Sequence, residues 1–228
     1  MKKILLIAAA CVGIALNVRA IPFLQLDASP ALYDPSSETT ISTANNFTLY
    51  AMVNSLTPSA GYTYALVAAI EPNQTTPATL GSFVLNGSTI HVTGDMTPGN
   101  PGLPPHGVYD TYYKEVVFNW SSATKFTDYD VSLVGGNHSG PTASLTGNSL
   151  YVSFTVDVSN LAPGHELWFD LAEFDSAGNL VGKAPFSHSA QSGGGGGGGN
   201  TVPDGGATAM LLGAAMLALG WVRRTLGR

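Results

Sequence analysis

Three kinds of side chain in this sequence are grouped closely enough to suggest chemistry. The first is acidic. Asp170, Glu173 and Asp175 lie together beside Asn179, and Asp128 and Asp130 form a second pair. Carboxylate oxygens in the loops of β-sandwiches are hard ligands that suit Ca²⁺. Asp128, Asp130, Asp170 and Asp175 are therefore the candidate calcium ligands. Their spacing misses the Asp-x-Asp-x-Asp-Gly calcium loop, and strand alternation sets Asp170 and Glu173 on opposite faces. The expectation is accordingly of solvated acids at strand ends and no resident cofactor. Five histidines, His91, His106, His138, His165 and His188, are scattered without the spacing of a zinc site.

The second kind is nucleophilic. The only cysteine is Cys11, so the chain beyond it has no thiol and no disulfide. There is no Gly-x-Ser-x-Gly elbow. The many serines single out no Ser-His-Asp triad, and 14 acids in residues 21–200 make any choice of a glycosidase pair arbitrary. A non-enzyme is expected, with a hydrolase as the weakest alternative.

The third kind is aromatic. Tyr109, Tyr112, Tyr113 and Trp120 crowd one segment, and Tyr62 and Tyr64 alternate. Aromatic faces near carboxylates and amides suit sugar rings. Tyr109, Tyr112 and Tyr113 are thus the candidate platform of a carbohydrate-binding module. The competing reading is that aromatics are good strand residues that fill a core, which is the expectation for Trp120 and Trp168.

The elements that must position these residues read as strands. Residues 21–27, 47–53, 62–70, 108–120, 127–134, 150–157, 167–175 and 180–184 are β-prone or alternating runs bounded by Gly, Pro, Asn and Ser. Asn86-Gly87 between two β-prone arms predicts a hairpin with a type I′ turn. Met96 to Gly107, with four prolines, reads as a surface loop, and so does Gly135 to Pro141. No segment of the body has a sustained helical period. The expectation is an all-β fold, a single antiparallel β-sandwich of jelly-roll or Greek-key kind spanning residues 21–192, with about eight to ten strands.

The two ends read as addresses. Lys2 and Lys3 precede an apolar stretch that closes on Val18-Arg19-Ala20, the pattern of a signal helix over residues 1–20 cut after Ala20 by signal peptidase in the secretion machinery. Gly193 to Gly199 begin a flexible linker over 193–201, because no regular element tolerates seven glycines. Val202-Pro203-Asp204-Gly205-Gly206 follows, then 16 uncharged residues from Ala207 to Val222, then Arg223, Arg224 and Arg228. A helix over 207–222 is about 24 Å long, short of a roughly 30 Å hydrocarbon core. The arginines set the C-terminus on the cytoplasmic side and the body outside. Between the two ends, 14 acids face three lysines, so the body carries near −11. Such a body repels nucleic acid and anionic lipid.

On these residues the tail resembles the PEP-CTERM sorting signals, in the variant that begins Val-Pro-Asp-Ser-Gly, with Gly205 in place of the serine. The resemblance implies a Gram-negative exporter, an exosortase-type membrane protease as partner, processing near the signature, and company with extracellular polysaccharide at the cell surface or in the matrix. The body resembles the choice-of-anchor N domain at Leu24 to Asp27, Phe47 to Ala51, Leu103 to Tyr109 and Ala184 to His188. That resemblance implies an exported module displayed from interchangeable anchors and brings no catalytic residues.

Overall fold

The computed structural model describes residues 23–58, 61–103 and 107–193. Among them are fifteen strands, numbered along the chain, two short 3-10 turns at Val131–Leu133 and Phe186–His188, and no α-helix. The chain is all-β, in two sheets. The first has the order β1 (Leu24–Ser29), β4 (Asn46–Val53), β12 (Ser149–Asp157), β6 (Ser82–Leu85), β7 (Ser88–His91), with β10 (Thr124–Phe126) also paired to β12. The second has the order β11 (Asn137–His138), β2 (Ala31–Asp34), β3 (Thr39–Ser42), β15 (Ser189–Ser192), β13 (Glu166–Phe174), β5 (Thr63–Glu71), β9 (Thr111–Phe118), β8 (Thr97–Gly99), with β14 (Leu180–Lys183) on β13. Almost every long connection changes sheet. Pairing is antiparallel throughout except between β15 and β3, which run parallel, so the purely antiparallel expectation is corrected at that one seam.

Between the sheets lies the main core, where Leu24, Leu26, Leu49, Leu66, Ile70, Phe83, Leu167, Phe169 and Leu171 are almost wholly buried. It follows from alternation: on β1, Leu24, Leu26 and Ala28 face inward, and on β13, Leu167, Phe169 and Leu171 do. The β5 strand is buried on both faces except at its first residue. Its other face, with Val67 and Ala69, joins Trp168, Ala172, Leu103, Val108 and Tyr109 in a second cluster. The segment before β9 is therefore not a free surface loop: Leu103 and Val108 fold onto the outside of the second sheet and bury it.

The predicted hairpin is present. The β6 and β7 strands pair from Ser82–His91 to Leu85–Ser88, and Asn86 and Gly87 both take positive φ, at 48° and 78°. Asn86 also reaches a third strand, since its Oδ1 accepts the Thr155 N–H at 2.8 Å. The expected strand over 127–134 is instead the 3-10 turn Val131–Leu133. The Asp130 carboxylate accepts the Ser132 N–H at 2.9 Å, and that local bond favours a turn over a ladder.

Candidate functional site

The proposed sugar platform is not assembled. Tyr112 faces the main core and Tyr109 the second cluster, 5% and 9% exposed. The Tyr109 hydroxyl donates to Asp170 Oδ2 at 3.1 Å. Burial, reinforced by the Asp170 charge, pushes its phenol well above the usual range. Tyr113 is half-buried and meets Tyr109 edge-on, with ring centroids 6.2 Å apart. The alternation that turns Tyr113 outward thus hides Tyr112, and the packed segment before β9 hides Tyr109. Trp168 is buried as expected. Trp120 is half-buried, edge-on to Tyr64 and Phe118 at 5.3 and 5.1 Å.

Nor do the candidate calcium ligands converge. Asp170 lies inside β13 and accepts the Ser189 hydroxyl at 2.9 Å. Asp175 closes its own turn, accepting from Asn179 Nδ2 at 2.9 Å and from the Ala177 and Asn179 N–H groups. These bonds, led by the Asn179 side chain, hold its carboxyl below the usual range. Asp130 pairs with His188, whereas Asp128 stands half-buried nearby with its carboxyl pushed by burial up to about 6. Among the described residues no three His, Asp, Glu or Cys side chains gather as a metal site needs. The expectation of solvated strand-end acids holds for Asp175, just past β13, and fails for Asp130, Asp170 and Glu173, which are 8%, 4% and 5% exposed. Glu173 is kept inside by the Tyr64 hydroxyl, which donates to it at 2.6 Å.

What the structure does bring together is a polar layer on the outer face of β1. Alternation turns Gln25 and Asp27 away from the main core, yet each is only 1% exposed. The segment 127–144 covers them. Gln25 ties down its start: Nε2 donates to the Tyr129 carbonyl at 2.9 Å, and Oε1 accepts the Val131 N–H at 3.1 Å. Asp27 accepts three bonds, from the Ala28 N–H at 2.8 Å, from the Tyr129 hydroxyl at 2.5 Å, and from His138 Nδ1 at 2.5 Å. Burial first, then the Asp27 charge, pushes the Tyr129 phenol upward, so it remains a donor. The β11 strand, paired to β2 through Asn137 and His138, delivers the imidazole. Gly140 completes the fit. Its φ is +75°, and a Cβ there would stand 2.3 Å from the Tyr50 ring.

This layer floors a cleft of about 520 Å³, lined by Asp27, Tyr129 and His138 with Ser139, Thr142 and Ser144 among its other residues. A volume of this order is that of a small-molecule site. The carboxylate of Asp27 sits against His138 Nδ1 and fixes the orientation of the ring. The Nε2 of that ring is buried and has no hydrogen-bond partner among the described residues. Beside the layer, His188 Nε2 sits 3.0 Å from Asp130 Oδ1, and Ser187 Oγ 2.8 Å from His188 Nδ1. Burial pushes the Asp130 carboxyl up, but the Ser132 and His188 hydrogen bonds and the His188 charge outweigh it and hold the group below its usual range. The Ser187–His188–Asp130 order mimics a triad. However, its serine and imidazole are chain neighbours, His188 is buried, and Ser187 does not line the Asp27 cleft. It acts as a brace between the two 3-10 turns.

No family model matches the chain, and no curated protein matches it. Among solved structures, the chain is similar to the collagen-binding subdomain, ACE19, of the Enterococcus faecalis surface protein ACE. The identity is 9% and the TM-score 0.27, over 76% of this chain and 98% of that one. At that TM-score the likeness carries neither topology nor ligand to this protein.

The sequence signal for the polar layer was Gln25 and Asp27 alternating with leucines on β1. Alternation alone pointed them toward solvent. Their partners lie about a hundred residues away, at Tyr129, Val131 and His138. The leader, the linker beyond Gly193, the signature Val202 to Gly206, the apolar span and Arg223, Arg224 and Arg228 lie outside the described residues. So does the cut after Ala20. No helix among the described residues is long and apolar enough to cross a membrane.

Proposed function

We propose that the chain is an exported, non-enzymatic β-sandwich, displayed at the cell surface or in the extracellular matrix of a Gram-negative bacterium. Signal peptidase removes residues 1–20. The tail 202–228 tethers the body, and an exosortase-type protease processes it there, in the company of extracellular polysaccharide. One observation carries this reading: the order of leader, compact sandwich, glycine spacer, Val-Pro-Asp-Gly-Gly signature, apolar span and terminal arginines. The fold supports it at one point, since its last strand β15 ends at Ser192, immediately before the glycines. The near −11 charge of the body supports a role away from nucleic acid.

Intact-mass measurement of the protein recovered from its producing cells tests the proposal. A mass that begins at Ile21 and lacks the residues beyond about Val202 is the expected result. A mass matching Met1 to Arg228 overturns export and processing together. Loss of the leader with Arg228 retained overturns the processing step and leaves a permanent anchor.

A further inference from the structure

We propose that β15 is a tension-bearing joint between the body and its anchor, built so that a pull arriving through the glycine spacer is shared by the second sheet and does not peel the chain end away. The proposal rests on the reading of the tail as a tether. It adds the part of the body that takes the strain.

A chain end beside a flexible spacer ordinarily frays, because few contacts hold it. Here the last strand is not at an edge. It lies inside the second sheet, parallel to β3 over four residue pairs and antiparallel to β13 at Trp168 and Phe169. Among the described strands it alone joins β3 to β13. All four residues, Ser189 to Ser192, are buried although three of them are polar. Specific bonds hold them there. The Ser189 hydroxyl donates to Asp170 at 2.9 Å and the Gln191 amide to Glu71 at 3.0 Å, while Ser192 Oγ accepts the Leu167 N–H at 2.8 Å. Ala190 packs in the main core. Just past the strand, the Gly193 N–H donates to the Ser42 carbonyl at 2.6 Å, at the end of β3. A Cβ on Gly193 would stand 2.3 Å from Ile41 Cγ2, so glycine lets the chain leave close along β3.

These contacts decide how a pull is shared. Because β15 and β3 run parallel, the chain leaves at the ends of both strands and in line with them. A pull in that direction slides β15 between two neighbours and loads the bonds on both sides together. An edge strand such as β7 has a ladder on one side only and opens bond by bond. Slipping β15 also withdraws a donor from Glu71 and from Asp170, withdraws the acceptor of the Leu167 N–H, and divides the sheet between β3 and β13. Buried polar groups that lose a partner are costly. The body therefore yields as a whole before β15 comes away alone.

Two measurements on the leader-free chain test this. In hydrogen exchange, the hydrogen-bonded amides of β15 are expected to exchange as slowly as those of β5 and β13, and to accelerate with them as urea is added. Exchange in β15 at least about ten times faster than in β13 overturns the proposal. In single-molecule force spectroscopy the chain is held by its C-terminal end and by a thiol at Leu145→Cys. Leu145 is 98% exposed, and with Cys11 removed in the leader that thiol is unique. The expected trace has one rupture that releases residues 145–192 together, a gain of more than about 100 Å. A first step of only about 30 Å, the reach of residues 184–192 after β14, with the rest yielding later, refutes the shared load. Gln191→Ala withdraws the amide from Glu71 and is expected to lower the rupture force while keeping the single step; an unchanged force means that β15 does not carry the pull. Both readouts use purified chain, cut or uncut at the tail. Their failure is therefore distinct from failure of the tether, which the intact mass reads.

Discussion

Glu71 is the group in this fold whose charge state most directly sets stability near neutral pH. It ends β5 and is 9% exposed, directly opposite Glu166 on β13. Its Oε2 accepts the Gln191 amide at 3.0 Å. Burial first, then the charges of Glu166 and Asp170, pushes its carboxyl up to about 7 from its ordinary 4.5. The sign follows from linkage. Between these two values the unfolded chain has released the proton while the folded chain keeps it, so stability falls as pH rises through that window and levels off above it. A difference of some 2.5 units, at about 1.4 kcal/mol each, gives about 3 kcal/mol. That is a large share of the total for one domain.

Glu71→Gln removes the titration and keeps a carbonyl to accept the Gln191 amide. The variant is expected to match the parent in acid and to exceed it by about 3 kcal/mol above neutrality, read by urea unfolding at steps from about pH 4 to about pH 8. Other carboxyls titrate in both proteins and cancel in the difference. A difference that stays flat across the window refutes the assignment. Glu166→Gln separates the causes: if burial leads, it removes only a minor part of the pH dependence. Loss of most of that dependence would make pair repulsion the cause instead.

Other perturbations probe the remaining buried acids and the cover over β1. Tyr64→Phe removes the hydroxyl that donates to Glu173 at 2.6 Å and leaves the carboxylate short of a partner, which is expected to cost about 1–3 kcal/mol in urea unfolding. Gly140→Ala combines a φ of +75° with a Cβ 2.3 Å from the Tyr50 ring, so a loss of at least about 1 kcal/mol is expected in thermal melts. An unchanged melt would mean that the 135–141 segment moves off β1 at no cost. For Asp130 the fold lowers the carboxyl, so its contribution is complete above the unfolded value and is lost as pH falls through the lower folded value. Asp130→Asn is therefore expected to be less stable at neutrality and to show a flatter acid limb in the same urea series.

What was legible in the chain was what short-range patterning controls. The Asn86-Gly87 hairpin depends on two residues that tolerate positive φ, and both are adjacent in sequence. The β12 and β13 strands alternate, and their inward leucines and phenylalanines are the core. Two kinds of feature were hidden. One is pairing between distant segments, such as the parallel seam of β15 with β3, which no local pattern encodes. The other is a polar face that a later segment covers. Asp27, Asp130, Asp170 and Glu173 look like surface acids, because alternation says which way a side chain points but not what lies there. The Tyr109–Tyr113 platform failed because alternation turns Tyr112 into the main core and the segment before β9 folds Tyr109 onto the second sheet.

The covered acids are also what fastens the body. Beyond Cys11 the chain has no cysteine, so no disulfide closes its long loops. Here the long-range ties are hydrogen bonds to buried carboxylates. Asp27 holds Tyr129 and His138, 102 and 111 residues away. Glu173 holds Tyr64 at a separation of 109, and Glu71 holds Gln191 at 120. Each carboxylate has a hydroxyl, amide or imidazole donor rather than a lysine or arginine. Where the acceptor is charged the bond exceeds an ordinary one in strength, and any buried carboxyl deprived of its donor is costly. The ties therefore specify which distant segment closes over which strand. Such a fold resists thiol reductants, which find nothing to cut, and responds to proton concentration instead. Glu71 and Asp130 set the two limbs of that response, falling stability toward neutral pH from the first and toward acid from the second. The surface is left mostly acidic with three lysines, so the domain stays soluble while its structural acids are hidden.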